Sequence, residues 1–254
     1  MKMINRTLKL AFSLLFLGMA TMAYSQKREI TPLNRHFNPI SEKDTLNLAY
    51  HAVVTYLEGN IAMMQVVDLE NRIVQITKEG YNAEGSFPEE IIETFDQNGK
   101  LKSKKTKNKT NGMFHAAYYN DEVFLGEVIY KPSEGYEITK AGQSPTPLME
   151  QNEFEPTPNF DKATWYKLLA NNLRYPQKAL DHRETGTVIL ALLINENSEV
   201  IKIEVANPEE ISKSLAKEAI RVVSVYKGKF VSAKDFNGNS VEAWVYMPVR
   251  FKLS

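Results

Sequence analysis

Four histidines, His36, His51, His115 and His182, are the side chains of this sequence best suited to acid–base or metal chemistry, and they stand far apart. None falls in an HExxH or other ligand spacing, there is no GxSxG, and no glycine-rich phosphate loop occurs. With no cysteine in the chain, disulfides, thiolate metal sites and thiol nucleophiles are excluded together. His182-Arg183-Glu184 could be drawn as an acid–base group, but it reads as solvated polar loop. The pairs Glu89-Glu90 and Glu209-Glu210 are adjacent along the chain rather than opposed across a cleft, which suits element termini better than paired catalytic carboxylates. The residues therefore give no catalytic, metal or cofactor assignment, and a non-enzyme is expected.

A local charge cluster offers the next candidate chemistry. Lysines at 100, 102, 104, 105, 107 and 109 crowd one stretch. Alternation at 100, 102 and 104 places three ammonium groups on one strand face, where an anionic glycan or nucleic acid could settle. No aromatic residues interleave with them, and the whole chain balances 31 basic against 31 acidic residues. The stripe is read as a solvated hairpin with lysines guarding an edge, and nucleic acid is not expected as a partner.

The elements that must position any site divide the 254 residues into four parts. Lys2, Arg6 and Lys9 precede an apolar run from Leu10 to Ala23, followed by Ala23-Tyr24-Ser25 and Gln26. This is the pattern of an export signal cleaved after Ser25; at about 14 residues the run is shorter than the roughly 20 needed for a spanning helix. Removal of residues 1 to 25 leaves 28 basic and 31 acidic groups, a mildly acidic exported chain with no membrane span. From 26 to 138 short apolar runs end at turn signals such as Glu58-Gly59-Asn60, Glu79-Gly80 and Gln97-Asn98-Gly99, which predicts an antiparallel β meander. Residues 139 to 159 hold Pro145, Pro147, Pro156 and Pro158 among few apolar residues and read as a linker.

The last part, 160 to 254, is the most regular. Asp161 is placed to cap a helix running through Trp165, Leu168, Leu169 and Leu173 and closed by Tyr175-Pro176. Gly186 to Ile194 is continuously apolar and predicts a central strand, while Val200 to Ala206 alternates as a half-wet one. Asn207-Pro208-Glu209-Glu210 has the composition of a helix start, Ile211 to Tyr226 follows helical spacing, and Gly228 stands where a C-terminal cap belongs. A final strand from Val241 to Leu253 puts Val245, Met247, Val249 and Phe251 inward and Glu242, Trp244, Tyr246 and Arg250 outward. Pro248 marks it as an edge. The fold class is α+β.

Two resemblances follow from these residues. The stretch Phe95-Asp96-Gln97-Asn98-Gly99-Lys100-Leu101 through Gly112-Met113-Phe114 to Tyr118-Tyr119-Asn120-Asp121 resembles MORN-like repeats, which carry no catalytic motif. The segment 160 to 254 resembles the C-terminal domain of TonB energy transducers, on Tyr175-Pro176 with Ala179, Gly186-Thr187-Val188, Glu218-Ala219 and Met247-Pro248-Val249-Arg250-Phe251. It departs from the family at Phe230-Val231-Ser232-Ala233, where many members carry Trp-x-Pro-Ala, and in lacking long Pro-Lys and Pro-Glu runs.

The second resemblance implies helices packed on a three-stranded antiparallel sheet that grips an extended segment of an outer-membrane transporter and supports TonB-dependent transport from the periplasm. An envelope scaffold using the same domain without energy transduction is the alternative. The expected partner is an outer-membrane transporter or other envelope protein, with a second copy of the chain as a further candidate. Strand addition is expected along the final strand, with Val241, Glu242, Trp244, Val245, Tyr246 and Arg250 as contact residues.

Overall fold

The computed structural model describes residues 29–56, 62–160, 162–226 and 228–253; the expected export signal and Asp161 lie outside them. Nine strands in chain order form one antiparallel meander: β1 (Glu29–Leu33), β2 (Tyr50–Tyr56), β3 (Ala62–Asp68), β4 (Ile73–Asn82), β5 (Phe87–Phe95), β6 (Leu101–Asn108), β7 (Phe114–Asn120), β8 (Val123–Lys131) and β9 (Gly135–Lys140). Register fixes its two faces. The cross-strand row Thr77, Ile92, Lys105, Ala116, Val128, Ile138 runs along one face, and four of its six members are buried.

The opposite face is wet and laced with ion pairs. Glu93 lies 3.5 Å from both Lys78 and Lys104, and His115 meets Glu127 at 2.8 Å. Part of the lysine run is paired here. Lys100 pairs with Asp121 and Lys109 with Glu79, each at 2.9 Å, while Lys105 turns to the other face with its ammonium 3.9 Å from the Phe114 ring centroid.

The C-terminal part is a three-stranded antiparallel sheet in the order β12-β11-β16, with β11 (Gly186–Ile194) central, β12 (Val200–Val205) on one side and β16 (Ala243–Phe251) on the other. Its inward residues, including Val188, Leu190, Leu192, Val249 and Phe251, pack on α1 (Lys162–Asn172) through Trp165, and on α3 (Lys213–Ser224) through Leu215, Ala219, Val222 and Val223. A short helix, α2 (Gln177–Asp181), carries Ala179 into the same core.

Several boundaries differ from the sequence reading. Asn207 does not cap a helix: its buried amide accepts from Ile189 N–H at 2.9 Å and donates to Thr187 C=O at 3.0 Å, patching the sheet where β12 ends. The helix begins later, with Ser212 as N-cap accepting from Leu215 N–H, and it ends at Ser224 with Val225 as C-cap, so Gly228 is not its cap. The chain between α3 and β16 folds into three two-residue strands, β13 (Phe230–Val231), β14 (Ala233–Lys234) and β15 (Ser240–Val241). Val241 pairs with Ala233 in that small hairpin, and the last strand begins at Ala243.

The segment at 139 to 159 starts inside β9 and then lies against β9 and the short strands β13 and β14 rather than spanning open space. Tyr136 and Met149 exchange backbone hydrogen bonds at 2.8 Å, and Thr146 N–H donates to Ile138 C=O. Glu153 bridges Lys140 of β9 and Lys234 of β14. The chain then forms β10 (Thr157–Pro158), which pairs with β13. Phe236, at the tip of the β14–β15 hairpin, stacks on Phe154 with centroids 4.2 Å apart and reaches Tyr118 at 5.2 Å. Gly126 lies beneath, where an added Cβ would come within 2.7 Å of the Phe236 ring and 2.4 Å of Thr139 O. Burial, with help from Glu155, pushes the Tyr118 phenol up to about 12.

Glu218 explains why an acid stands in the amphipathic helix. Its carboxylate accepts from Arg174 N–H at 2.6 Å and from Arg221 at 2.7 Å, while Arg221 donates to Asn172 C=O at 2.6 Å. The end of α1 is thereby tied to α3 and its orphan carbonyl satisfied. Arg221, then the Arg174 amide, hold the Glu218 carboxyl below its usual range against the opposing effect of burial. Glu218→Ala is expected to destabilise the chain by about 2 kcal/mol in urea unfolding. This contribution is complete above the ordinary carboxylate pKa and is lost as pH falls through the lowered folded value, so the gap between native and variant chains narrows at acid pH.

Candidate functional site

The site is the free edge of β16 and the groove beside it. β11 and β16 pair over nine residues without a register shift, and Ile189 stands opposite Pro248. Ile189 N–H donates to Asn207, and Ile189 C=O accepts from Ala206 N–H at 2.8 Å. Both groups point toward the β12 side, so Ile189 and Pro248 form a non-hydrogen-bonded pair, and the backbone of Pro248 faces away from β11. A period of two carries the same orientation to Trp244, Tyr246 and Arg250. Pro248 therefore stands where its missing N–H costs the sheet nothing. Three N–H groups and four carbonyls line the outward edge, and no strand of the described residues lies beyond it.

Along this edge runs a mainly apolar groove of about 830 Å³, with Tyr246, Met247, Pro248 and Arg250 on one side and α1 residues including Trp165, Tyr166 and Leu169 on the other. Arg250 forms no ion pair with any described residue, leaving one unbalanced positive charge at the groove. The opening suits an extended chain with backbone groups toward β16 and apolar side chains toward α1.

The contact residues expected from sequence divide into groups. Tyr246 and Arg250 line the groove. Val245 points inward and packs on the core, whereas Val241 and Glu242 precede the strand. Trp244 has an outward backbone, but its ring is met by a residue from the other end of the chain.

That residue is His36. The chain leaves β1 into a tight loop in which Asn34 Oδ1 accepts from the backbone N–H of His36 at 2.9 Å and of Asn38 at 3.2 Å. Phe37 adopts φ 58° and leans on Tyr50, a left-handed conformation that the surrounding contacts must hold. Asn34 Nδ2 donates to Ala206 C=O at 2.9 Å. The His36 side chain, only 2% exposed, places Nε2 2.7 Å from Glu204 and Nδ1 3.3 Å from the Tyr246 hydroxyl, with its ring edge-on to Trp244 at 4.8 Å.

Glu204, Ala191 and Tyr246 form one cross-strand row, so His36 spans the outer face of the sheet over a small residue that leaves it room. Burial opposes ionisation of Glu204, but hydrogen bonds from Lys202 and His36 hold its carboxyl below the usual range. Burial, followed by the Glu204 charge, raises the Tyr246 phenol. Sequence inspection missed His36, Asn34 and Glu204 in these roles. Their partners lie 168 to 210 residues away, and no local pattern marks them.

The remaining polar candidates serve structure. His182 Nδ1 lies 2.7 Å from Lys178 C=O, and Glu184 accepts from Ser214 near the start of α3. Among the described residues no three His, Asp or Glu side chains converge on a possible metal position, and no helix is long and apolar enough to cross a membrane.

Residues 171–253 match the family model described as Gram-negative bacterial TonB protein C-terminal. No curated protein and no solved structure matches the chain. The matched segment holds all three strands of the sheet, α2, α3 and the Glu218 clamp. The family is one of non-enzymatic interaction domains of the cell envelope.

Docking between the two parts rests on the Asn34–His36 loop at one end and Phe236 at the other. Phe236→Ala is expected to loosen the second contact while leaving the C-terminal core intact. Hydrogen exchange should quicken in β14, β15 and residues 146–155 but not in β11; unchanged exchange there would contradict an anchoring role.

Proposed function

With a TonB C-terminal domain as its carboxyl part, we propose that this protein is an exported envelope interaction protein whose C-terminal domain binds an extended segment of a partner by strand addition to β16. The partner is an outer-membrane transporter or another envelope protein, and the role is support of TonB-dependent transport. One observation carries the reading: the edge whose backbone groups turn outward is the edge that borders the apolar groove. The guest would gain hydrogen bonds from the N–H groups of Trp244, Tyr246 and Arg250, and its side chains would meet Trp165, Tyr166 and Leu169.

The scaffold form of this reading, binding without energy transduction, is favoured by the way residues 139–159 lie against β9, β13 and the β14–β15 hairpin. A transducer needs a spacer that can extend, whereas this segment is held by Met149, Glu153 and Phe154.

Panning a phage-displayed library of random dodecapeptides on the full chain tests the site. Selected peptides are expected to be extended, apolar at alternate positions, and to slow exchange at the amides of Trp244, Tyr246 and Arg250 while leaving Val245 and Met247 as they were. Binders that leave all three outward amides unprotected would refute strand addition here. A gain of affinity gives a second check. Pro248→Ala adds a fourth outward donor, and one further backbone bond of about 1 kcal/mol should tighten binding roughly fivefold, measured by fluorescence anisotropy. Equal or weaker binding by a folded Pro248→Ala chain would place the guest elsewhere.

A further inference from the structure

We propose that the N-terminal domain is part of the peptide site: His36 is a positioning residue that fixes Tyr246 at the lip of the groove, so the grip on a guest strand depends on the docked loop at 34–38. This rests on the guest-strand reading and assigns the N-terminal sheet a role in it.

Tyr246 belongs to two structures at once. Its ring lines the groove and its backbone faces the free edge, while its hydroxyl lies 3.3 Å from His36 Nδ1. The residue is 49% exposed, and an edge-strand tyrosine with that much freedom has other rotamers open to it. His36 removes the choice, because its own position is fixed at every side. Glu204 holds Nε2, Trp244 meets the ring edge-on, and Asn34 builds the loop from within and ties it to Ala206.

The contact also reaches across the sheet. Glu204 stands on β12 and Tyr246 on β16, with fully buried Ala191 between them. One imidazole thus joins both edge strands to a loop of the N-terminal sheet. Movement of that loop would release the phenol, and the ring that borders the guest would lose its fixed place. Ordering the ring before a guest arrives reduces the entropy lost on binding.

The test uses the full chain and a fluorescein-labelled dodecapeptide selected by the native protein. His36→Ala should weaken binding about tenfold, mainly through faster dissociation. His36→Asn, whose amide keeps a polar atom near the Nδ1 position that faces Tyr246, should recover part of the loss, more than His36→Gln, whose amide lies near the Nε2 position that faces Glu204. Tyr246→Phe should weaken binding to a similar degree, and the double variant His36→Ala with Tyr246→Phe should bind no worse than His36→Ala alone, because both remove one interaction. Carbon-13 tyrosine spectra of the free chain give a readout without peptide: the Tyr246 ring should reorient faster in His36→Ala, with Tyr166 across the groove unperturbed. A native affinity retained in folded His36→Ala, fully additive losses in the double variant, or unchanged Tyr246 ring motion would each overturn the positioning role alone. A native chain that selects no peptide overturns the guest-strand reading, and this proposal falls with it.

Discussion

Because Ile189 turns both of its backbone groups toward β12, the whole of β16 is committed to one orientation. Nine residues pair without a slip, and a shift by one would bury Tyr246 and Arg250 while expelling Met247, Val249 and Phe251. The core depends on that register, and the orientation of the free edge depends on it equally. Asn207 is the residue that makes the arrangement complete. It supplies an acceptor to Ile189 N–H beyond the last residue of β12, where no strand partner remains, and without it a buried donor would be left unsatisfied at a cost of about 1–3 kcal/mol.

The same constraint explains the division of labour between the two sheets. The C-terminal sheet has a large core of its own, built on two helices. The N-terminal meander has a small one, in which Leu33, Ala52 and Val66 are buried, and an antiparallel sheet with so little cover needs support from elsewhere. It obtains this from residues 146–155, which lie over the row ending in Ile138, and from Phe236. The ion pairs on its other face, around Glu93 and Glu127, keep that side polar. Within the lysine run, Lys100, Lys104 and Lys109 are held in ion pairs and Lys105 lies over Phe114.

Much of this was legible in sequence where the signal is periodic. The apolar run at Gly186 to Ile194, the alternation around Tyr246 and the edge position of Pro248 each follow from local residue order, and so does the strand-rich texture before residue 139. Three features were not. Asn207 with Pro208 and two glutamates has the composition of a helix start, but a buried amide bonded to β11 outweighs that local preference, and Ser212 takes the cap. Residues 139–159 look like a spacer because they are rich in proline and poor in apolar residues, yet Met149 and Phe154 suffice to anchor them once two surfaces are available. His36 gives no local signal, since its contacts require the first loop and the last strand to be brought together.

That last contact bears on how a force-bearing family of domains could be used in a chain of this kind. A guest strand added to β16 pulls on an element whose inner face is held by the helices and whose Trp244 end is held by the N-terminal loop. The load would pass into the nine-stranded sheet through His36 and Asn34, and through Phe236 at the other contact, rather than along an extensible tether. Strands loaded along their length resist through many backbone bonds at once, whereas the contacts between the two parts are separate ones, including Asn34 on Ala206, His36 and Arg35 on Glu204, and Phe236 on Phe154 and Tyr118. Release at that contact would free the Tyr246 ring, so on the proposed reading the hold on a guest depends on the two parts staying docked.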